Sequence, residues 1–222
     1  MSELERRAAV HAALGDVARL RVVDTLRLGD ASPSELSTAL GMPSNLLAFH
    51  LKALESAGLI TRHRSEGDGR RTYLRLVRDA LDGLGLGQLS APERVVFVST
   101  ANSARSHLAA ALWRRASDIP TASAGTHPAE RIDPGAVEAA GRRQLPLPRV
   151  RPQHLDEVLR DGDVVVTVCD RAHEELRPTA ATRLHWSIPD PVRVGTEAAY
   201  DAAYDELAAR VVDLAQRYPR AS

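Results

Sequence analysis

The chain has 222 residues, 44% hydrophobic and 4% aromatic, with 29 basic side chains balanced by 29 acidic ones. That length suits one large or two small domains with adequate cores, and zero net charge supplies no global attraction to nucleic acid or membrane. A single cysteine, Cys169, excludes an internal disulfide, the N-terminal MSELERRAAVHAAL lacks an apolar signal core, and no apolar run is long enough to span a bilayer, so a cytoplasmic protein without membrane contact is expected.

Residues 4–28 read as helix, with Leu20, Val23 and Leu26 at three-residue steps. Ser32-Pro33-Ser34-Glu35 is a capping box with proline at the first helical position, and its short helix ends at Gly41. After a tight turn, residues 44–57 form a second helix in which Leu47, Leu51 and Leu54 share one face, stopped by Gly58. Residues 59–61, the polar turn 66–69 and residues 72–77 make a β-hairpin.

Two short helices, a tight turn and a hairpin are the parts of a winged helix-turn-helix, mostly α with a β-hairpin wing. Ala13-Leu14-Gly15-Asp16 with Arg19-Leu20-Arg21, the run PSNLLAFHLKAL at 43–54, and Ala57-Gly58-Leu59-Ile60 resemble the pattern of ArsR-type repressors through most of residues 10–78. The resemblance implies a homodimer on double-stranded operator DNA, with the second helix of the motif in the major groove. Over residues 42–78 seven basic side chains (Lys52, Arg62, Arg64, Arg70, Arg71, Arg75, Arg78) face three acidic ones (Glu55, Glu66, Asp68), a local balance of +4. Such an excess in a neutral chain is an electrostatic footprint for phosphate.

Ser44, Asn45, Leu46, Ala48, Phe49 and Lys52 lie off the leucine face and are candidates to reach DNA, with Arg62, Arg64, Arg70 and Arg71 beside them. Asn45 suits a base edge and Leu46 or Ala48 a thymine methyl, whereas Phe49 serves either DNA or a dimer partner. His50 is read as structural. Many ArsR-type repressors sense metal through a cysteine pair on the helix before the recognition helix. Residues 33–40 hold neither cysteine nor histidine, and His11, His50 and His63 lack ligand spacing, so no metal and no cofactor is expected.

Glycine and proline punctuation over 78–92 marks a boundary, giving a head at 1–85, a linker at 86–92 and a body at 93–222. In the body, strands at 95–98, 121–124, 163–168 and 183–186 alternate with helices at 104–115, 134–142, 154–159 and 198–218. This is α/β organisation with a parallel sheet, and the β-branched run Val164 to Val168 suits a strand covered on both faces.

The stretch ERVVFVSTANSARSHLAA at 93–110 sends an apolar strand into a small polar loop, 99–103, that opens a helix. Backbone N–H groups and the positive end of a helix dipole converge on an anion in such a place, and Arg105 in the first turn can grip an oxyanion bidentately. The stretch resembles the phosphate-binding loop of low-molecular-weight tyrosine phosphatases and thioredoxin-coupled arsenate reductases: a cysteine, five residues, then Arg-Ser. Ser99 stands in place of that cysteine and Ala101 in place of the usual glycine, with Asn102, Arg105 and Ser106 in matching positions. Ala124-Gly125-Thr126, VVVTVCDRAHEE at 164–175 and LHWSIPDP at 184–191 match the arsenate-reductase branch.

The resemblance makes Asp190, in an Asp-Pro pair, the general-acid position, and Cys169 one of three redox cysteine positions, with Ser99 and Leu176 in the other two. A serine alcohol is far less acidic than a thiol and needs an adjacent base, which the loop does not contain. No enzymatic activity is therefore expected. Ser99, Thr100, Ala101, Asn102, Ser103, Ala104, Arg105, Ser106 and Asp190 are the candidate ligand residues, and the ligand is a small anionic effector, an oxyanion or an organic acid. The resulting expectation is a homodimeric repressor with a catalytically degenerate, effector-sensing body. The alternatives are a DNA-tethered phosphatase or arsenate reductase, or a body that serves only for dimerisation.

Overall fold

The computed structural model describes residues 2–77, 91–148, 150–176 and 183–218. Two compact units make up the chain. The N-terminal one is built from α1 (Glu3–Leu14), α2 (Val17–Leu28), α3 (Pro33–Leu40), α4 (Ser44–Ser56) and the strands β1 (Ile60–Arg64) and β2 (Thr72–Leu76). The single helix expected over 4–28 is two helices, because Asp16 takes extended backbone and its carboxylate accepts the Arg19 N–H at 2.9 Å, capping α2 afresh. Leu20, expected on the apolar face, is exposed; Val22, Val23 and Leu26 are the buried residues of α2.

Local chemistry fixes α3 and α4 as expected. Ser32 and Glu35 form the reciprocal capping box, worth about 1 kcal/mol, and Gly41 ends α3 in the left-handed region at φ 60°. Leu47, Leu51 and Leu54 of α4 are buried with Val22, Val23, Leu26 and Leu36 and with Leu59, Ile60, Leu74 and Leu76 from the hairpin region. Burial of each large aliphatic side chain contributes about 1.5–3 kcal/mol. The strands β1 and β2 pair antiparallel from Ile60↔Leu76 to Arg64↔Thr72, and Ala31 adds an antiparallel bridge to Leu74.

The C-terminal unit holds β3 (Arg94–Ser99), α5 (Arg105–Ala116), β4 (Thr121–Gly125), α6 (Pro134–Arg142), α7 (Leu155–Val158), β5 (Asp163–Thr167), α8 (Asp170–Glu175), β6 (Arg183–His185), α9 (Pro191–Val194) and α10 (Glu197–Ala215). Its four strands form a parallel sheet in the order β4-β3-β5-β6. The short helices α8 and α9 are absent from the sequence reading; Cys169 and Asp190 cap them, and each is too short for a helical period to show.

Alternation along β3 serves both faces of the sheet. Val96 and Val98 pack with Leu155, Val158, Val165, Cys169 and Ala172 on the α7 and α8 side. Phe97 meets Trp113 of α5 at 5.9 Å and Trp186 at 5.7 Å between ring centroids on the other. Arg94 clamps the start of the sheet through Asp163 at 2.8 and 2.6 Å. Burial of Asp163 favours its neutral form, but the Arg94 guanidinium and the Arg160 N–H together hold the carboxyl below its ordinary value.

β3 precedes β4 on one side and β5 on the other, so the strand order reverses at its C-terminal end. That is the crevice where open α/β sheets bind ligands, and the 99–105 loop leaves β3 there.

Candidate functional site

Four carbonyls of the loop after β3 point away from the cleft. The Ser99, Thr100, Ala101 and Ser103 oxygens accept the N–H groups of Thr126, His127, Ala129 and Asp133 at 3.2, 2.8, 2.9 and 2.9 Å. A trans peptide sets each following N–H antiparallel to its carbonyl, so this pinning turns the next N–H groups to the opposite side of the loop, where those of Thr100 and Asn102 meet Cys169 Sγ and Ser99 Oγ. The first turn of α5 adds its own, since Ala104 at the N-cap supplies no side-chain cap. The result is a backbone nest at the start of a twelve-residue helix.

Asn102 holds the loop in shape from within. It takes the left-handed conformation at φ 47°, donates from Nδ2 to Ser106 Oγ at 2.9 Å, and accepts the Gln153 N–H on Oδ1 at 3.0 Å. Ser99 Oγ receives the Asn102 N–H at 3.1 Å and lies 2.9 Å from Ser106 Oγ. Gly125 makes the fit possible: a Cβ there would stand 2.7 Å from the Thr100 oxygen. The substitution of Ala101 for glycine does not disturb this geometry, as the positive φ falls on Asn102.

Arg105 is 8% exposed, donates from Nη1 to the Ile188 oxygen at 2.8 Å, and pairs through Nη2 with Asp190 at 2.8 Å. Ser99, Thr100, Ala101, Ser103, Ala104, Arg105 and Asp190 line one cleft with Cys169, Asp170, Arg171, Val192 and Arg193. Of the expected ligand residues, Asn102 and Ser106 do not line it. Both are fully buried and support the loop from behind.

The chemistry of this floor is that of an alcohol. His107 is buried and directs Nδ1 toward Ser123 Oγ at 3.5 Å rather than to Ser99. Burial lowers its pKa to about 4, so it is neutral at ordinary pH. Cys169 is buried, its Sγ accepting the Thr100 N–H at 3.3 Å and the Ala172 N–H at 3.4 Å.

Several supports escaped the sequence reading. Asp170 and His185 form a buried pair at 3.2 Å, Thr167 Oγ1 lies 2.9 Å from His185 Nδ1, and the His185 ring stacks on His173 at 4.0 Å. Burial opposes the Asp170 charge, but hydrogen bonds from His185 and Ser187 prevail and bring its pKa to about 2. His173, Asp170 and Glu174 are adjacent in sequence, yet among the described residues no group of three side chains could hold a metal ion. The segment 127–133 and Gln153 carry no local signal, since their roles depend on partners far along the chain.

In the N-terminal unit all ten candidates for DNA contact are exposed: Ser44, Asn45, Leu46, Ala48, Phe49 and Lys52 on α4, Arg62 and Arg64 on β1, and Arg70 and Arg71 between the strands. Arg62 is committed to Glu55, at 2.5 and 3.3 Å, because the two face each other where α4 hands over to β1. Arg75 pairs with Asp30 at 3.4 Å, and Arg78 lies outside the described residues, as does most of the expected linker. His50 is buried with Nδ1 3.7 Å from Asp16, a structural placement.

Comparison with known proteins matches both units. Residues 94–221 match the low molecular weight phosphotyrosine protein phosphatase family, and the chain belongs to it. Residues 14–63 match a helix-turn-helix domain family, so the chain joins such a domain to a phosphatase-like one. An HTH-type transcriptional regulator of Mycobacterium tuberculosis, Rv0324, is 32% identical over 99 residues, which cover 44% of this chain and 42% of that relative. The chain thus spans under half the length of that curated relative.

Among solved structures, an arsenate reductase from Archaeoglobus fulgidus is 31% identical, covering 55% of this chain and 98% of the other with a TM-score of 0.49. Another arsenate reductase, in its oxidized state, is 22% identical over 56% of this chain and 97% of the other with a TM-score of 0.50, a likeness of fold alone.

Proposed function

We propose that the protein is a homodimeric DNA-binding transcriptional regulator, a repressor, whose phosphatase-like body senses a small anion without turning it over. The helix-turn-helix unit, with its exposed α4 and basic hairpin, supports the first half of that reading, as does the name of the mycobacterial relative. One observation carries the second half. The nest, Arg105 and Asp190 surround Ser99, an alcohol whose bonding partners are Ser106 and the Asn102 N–H. A site that keeps its anion grip and lacks a thiolate binds without reacting. The head extends over 1–85 and the body from 93 onward in this reading.

A ligand moves a repressor off DNA only through different affinities for the DNA-competent and incompetent states. The test uses the 222-residue protein and its Arg105→Ala variant, a duplex enriched from a random-sequence pool, and inorganic phosphate and arsenate as probes. Calorimetry should detect binding of at least one anion to the wild type and at least a hundredfold loss in Arg105→Ala. DNA affinity without anion should stay within twofold, and only the wild type should release DNA when anion is added. Normal anion-induced release by Arg105→Ala would place sensing elsewhere. Steady hydrolysis of an aryl phosphate by wild type, lost in Ser99→Ala, would make the body an enzyme.

A further inference from the structure

The two tryptophans, the four tyrosines and Phe97 are buried, whereas Phe49 is 66% exposed. Among the described residues it is the one exposed phenylalanine, tyrosine or tryptophan, and it stands on α4. Leu46, three residues earlier and so its neighbour on the helix surface, is 45% exposed. The arrangement follows from the helix period. At about 100° per residue, Asn45, Phe49 and Lys52 fall opposite the buried stripe of Leu47, Leu51 and Leu54, with Leu46 at the edge of that outer face. No rotation of α4 could bury Phe49 without exposing the leucines that hold the head together.

The surroundings of this apolar pair favour one occupant. The first turn of α4 carries no acidic residue, and Lys52 continues the same face by three residues. Arg64, Arg70 and Arg71 of the hairpin are exposed on the same unit. An apolar pair on a helix face with cations around it complements a major groove, whose rim is phosphate and whose apolar feature is the C5-methyl of thymine.

Resting on the proposed DNA-binding function, we infer that Leu46 and Phe49 are specificity-determining residues that read thymine methyl groups on the groove floor. Lys52 and the hairpin arginines supply phosphate contacts that carry no sequence information. The operator half-site therefore contains thymines at the positions facing α4.

Replacement of thymine by uracil, which removes the methyl and nothing else, tests this. The duplex enriched by the wild-type protein is remade with deoxyuridine at one thymidine at a time. At one or two positions per half-site uracil should weaken wild-type binding roughly fourfold, the value of one buried methyl. Leu46→Ala or Phe49→Ala should bind thymine and uracil duplexes equally at those positions, with the wild-type salt dependence and an unchanged melting temperature.

Indifference of the wild type to uracil at every position overturns the inference and leaves DNA binding intact. The same holds if both variants discriminate as the wild type does. Conversion of a dimer to monomer by Phe49→Ala in sedimentation without DNA would assign this face to a second copy of the chain. Failure of the wild-type protein to enrich any duplex would instead remove the DNA-binding reading on which the inference stands.

Discussion

The two units present their candidate sites in opposite ways. Every side chain proposed to meet DNA is exposed, while Ser99, Asn102, Arg105 and Ser106 of the anion loop are buried. In the head, the residues that would recognise a partner share few atoms with the core, which belongs to Leu47, Leu51, Leu54 and their neighbours. In the body, the hydrogen bonds that shape the nest are the same ones that tie β3 to the 126–133 segment and to Gln153. Recognition and folding are separable in the first unit and joined in the second.

Interior perturbations of the body should therefore cost most. His107 has an unfolded pKa near 6.5 and a folded one of about 4, set by burial. The unfolded chain binds the proton more readily between those values, so stability contributed by neutral His107 is complete above about pH 6.5 and is lost as pH falls toward 4. The swing amounts to roughly 3 kcal/mol. Urea unfolding of wild type and His107→Gln at pH 4.5 and 7 measures it, and an equal pH dependence in the two proteins would mean the ring is not buried neutral.

A smaller loss is expected from Gly125→Ala. The added methyl, 2.7 Å from the Thr100 oxygen and 3.0 Å from Asn102 Cβ, meets backbone that cannot yield without moving the loop. Destabilisation of about 2 kcal/mol should accompany at least a tenfold loss of phosphate or arsenate binding. Loss of stability with an intact anion affinity would break the claim that fold and site share atoms here.

The head should respond least in stability. Arg70→Ala with Arg71→Ala should change unfolding free energy by less than about 0.5 kcal/mol. The same double variant should flatten the salt dependence of DNA binding by roughly one unit of slope per arginine and weaken all sequences alike. Unchanged affinity at every salt concentration would take the hairpin out of the interface.

Legibility in the sequence followed the range of the interactions. The Ser32–Glu35 capping box, the stop at Gly58 and the leucine face of α4 depend on residues within a few positions of one another, and all are found where the pattern placed them. The strand-loop-helix at 94–116 was readable because the apolar strand, the small polar loop and the helix with Arg105 in its first turn are contiguous. The break at Gly15–Asp16 was missed because the apolar spacing of Leu20, Val23 and Leu26 lies wholly within α2 and does not bear on residues 4–16. The Asp170–His185 pair, the Gln153 support and the close approach at Gly125 were not legible, because each joins segments that only the parallel sheet brings together.

The parallel sheet also fixes an order in time. The head has its last strand by Leu76, whereas the nest needs the N–H of Gln153 and the pairing of β3 with β5, across a separation of 69 residues. Ribosomes add about 5–20 residues per second, so the roughly 91 residues between Leu76 and the end of β5 at Thr167 take some 5 to 18 seconds to emerge. Pairing over such long loops is slow as well, while helices and hairpins close locally. Each newly made molecule thus passes through an interval in which the helix-turn-helix is complete and the anion nest does not yet exist.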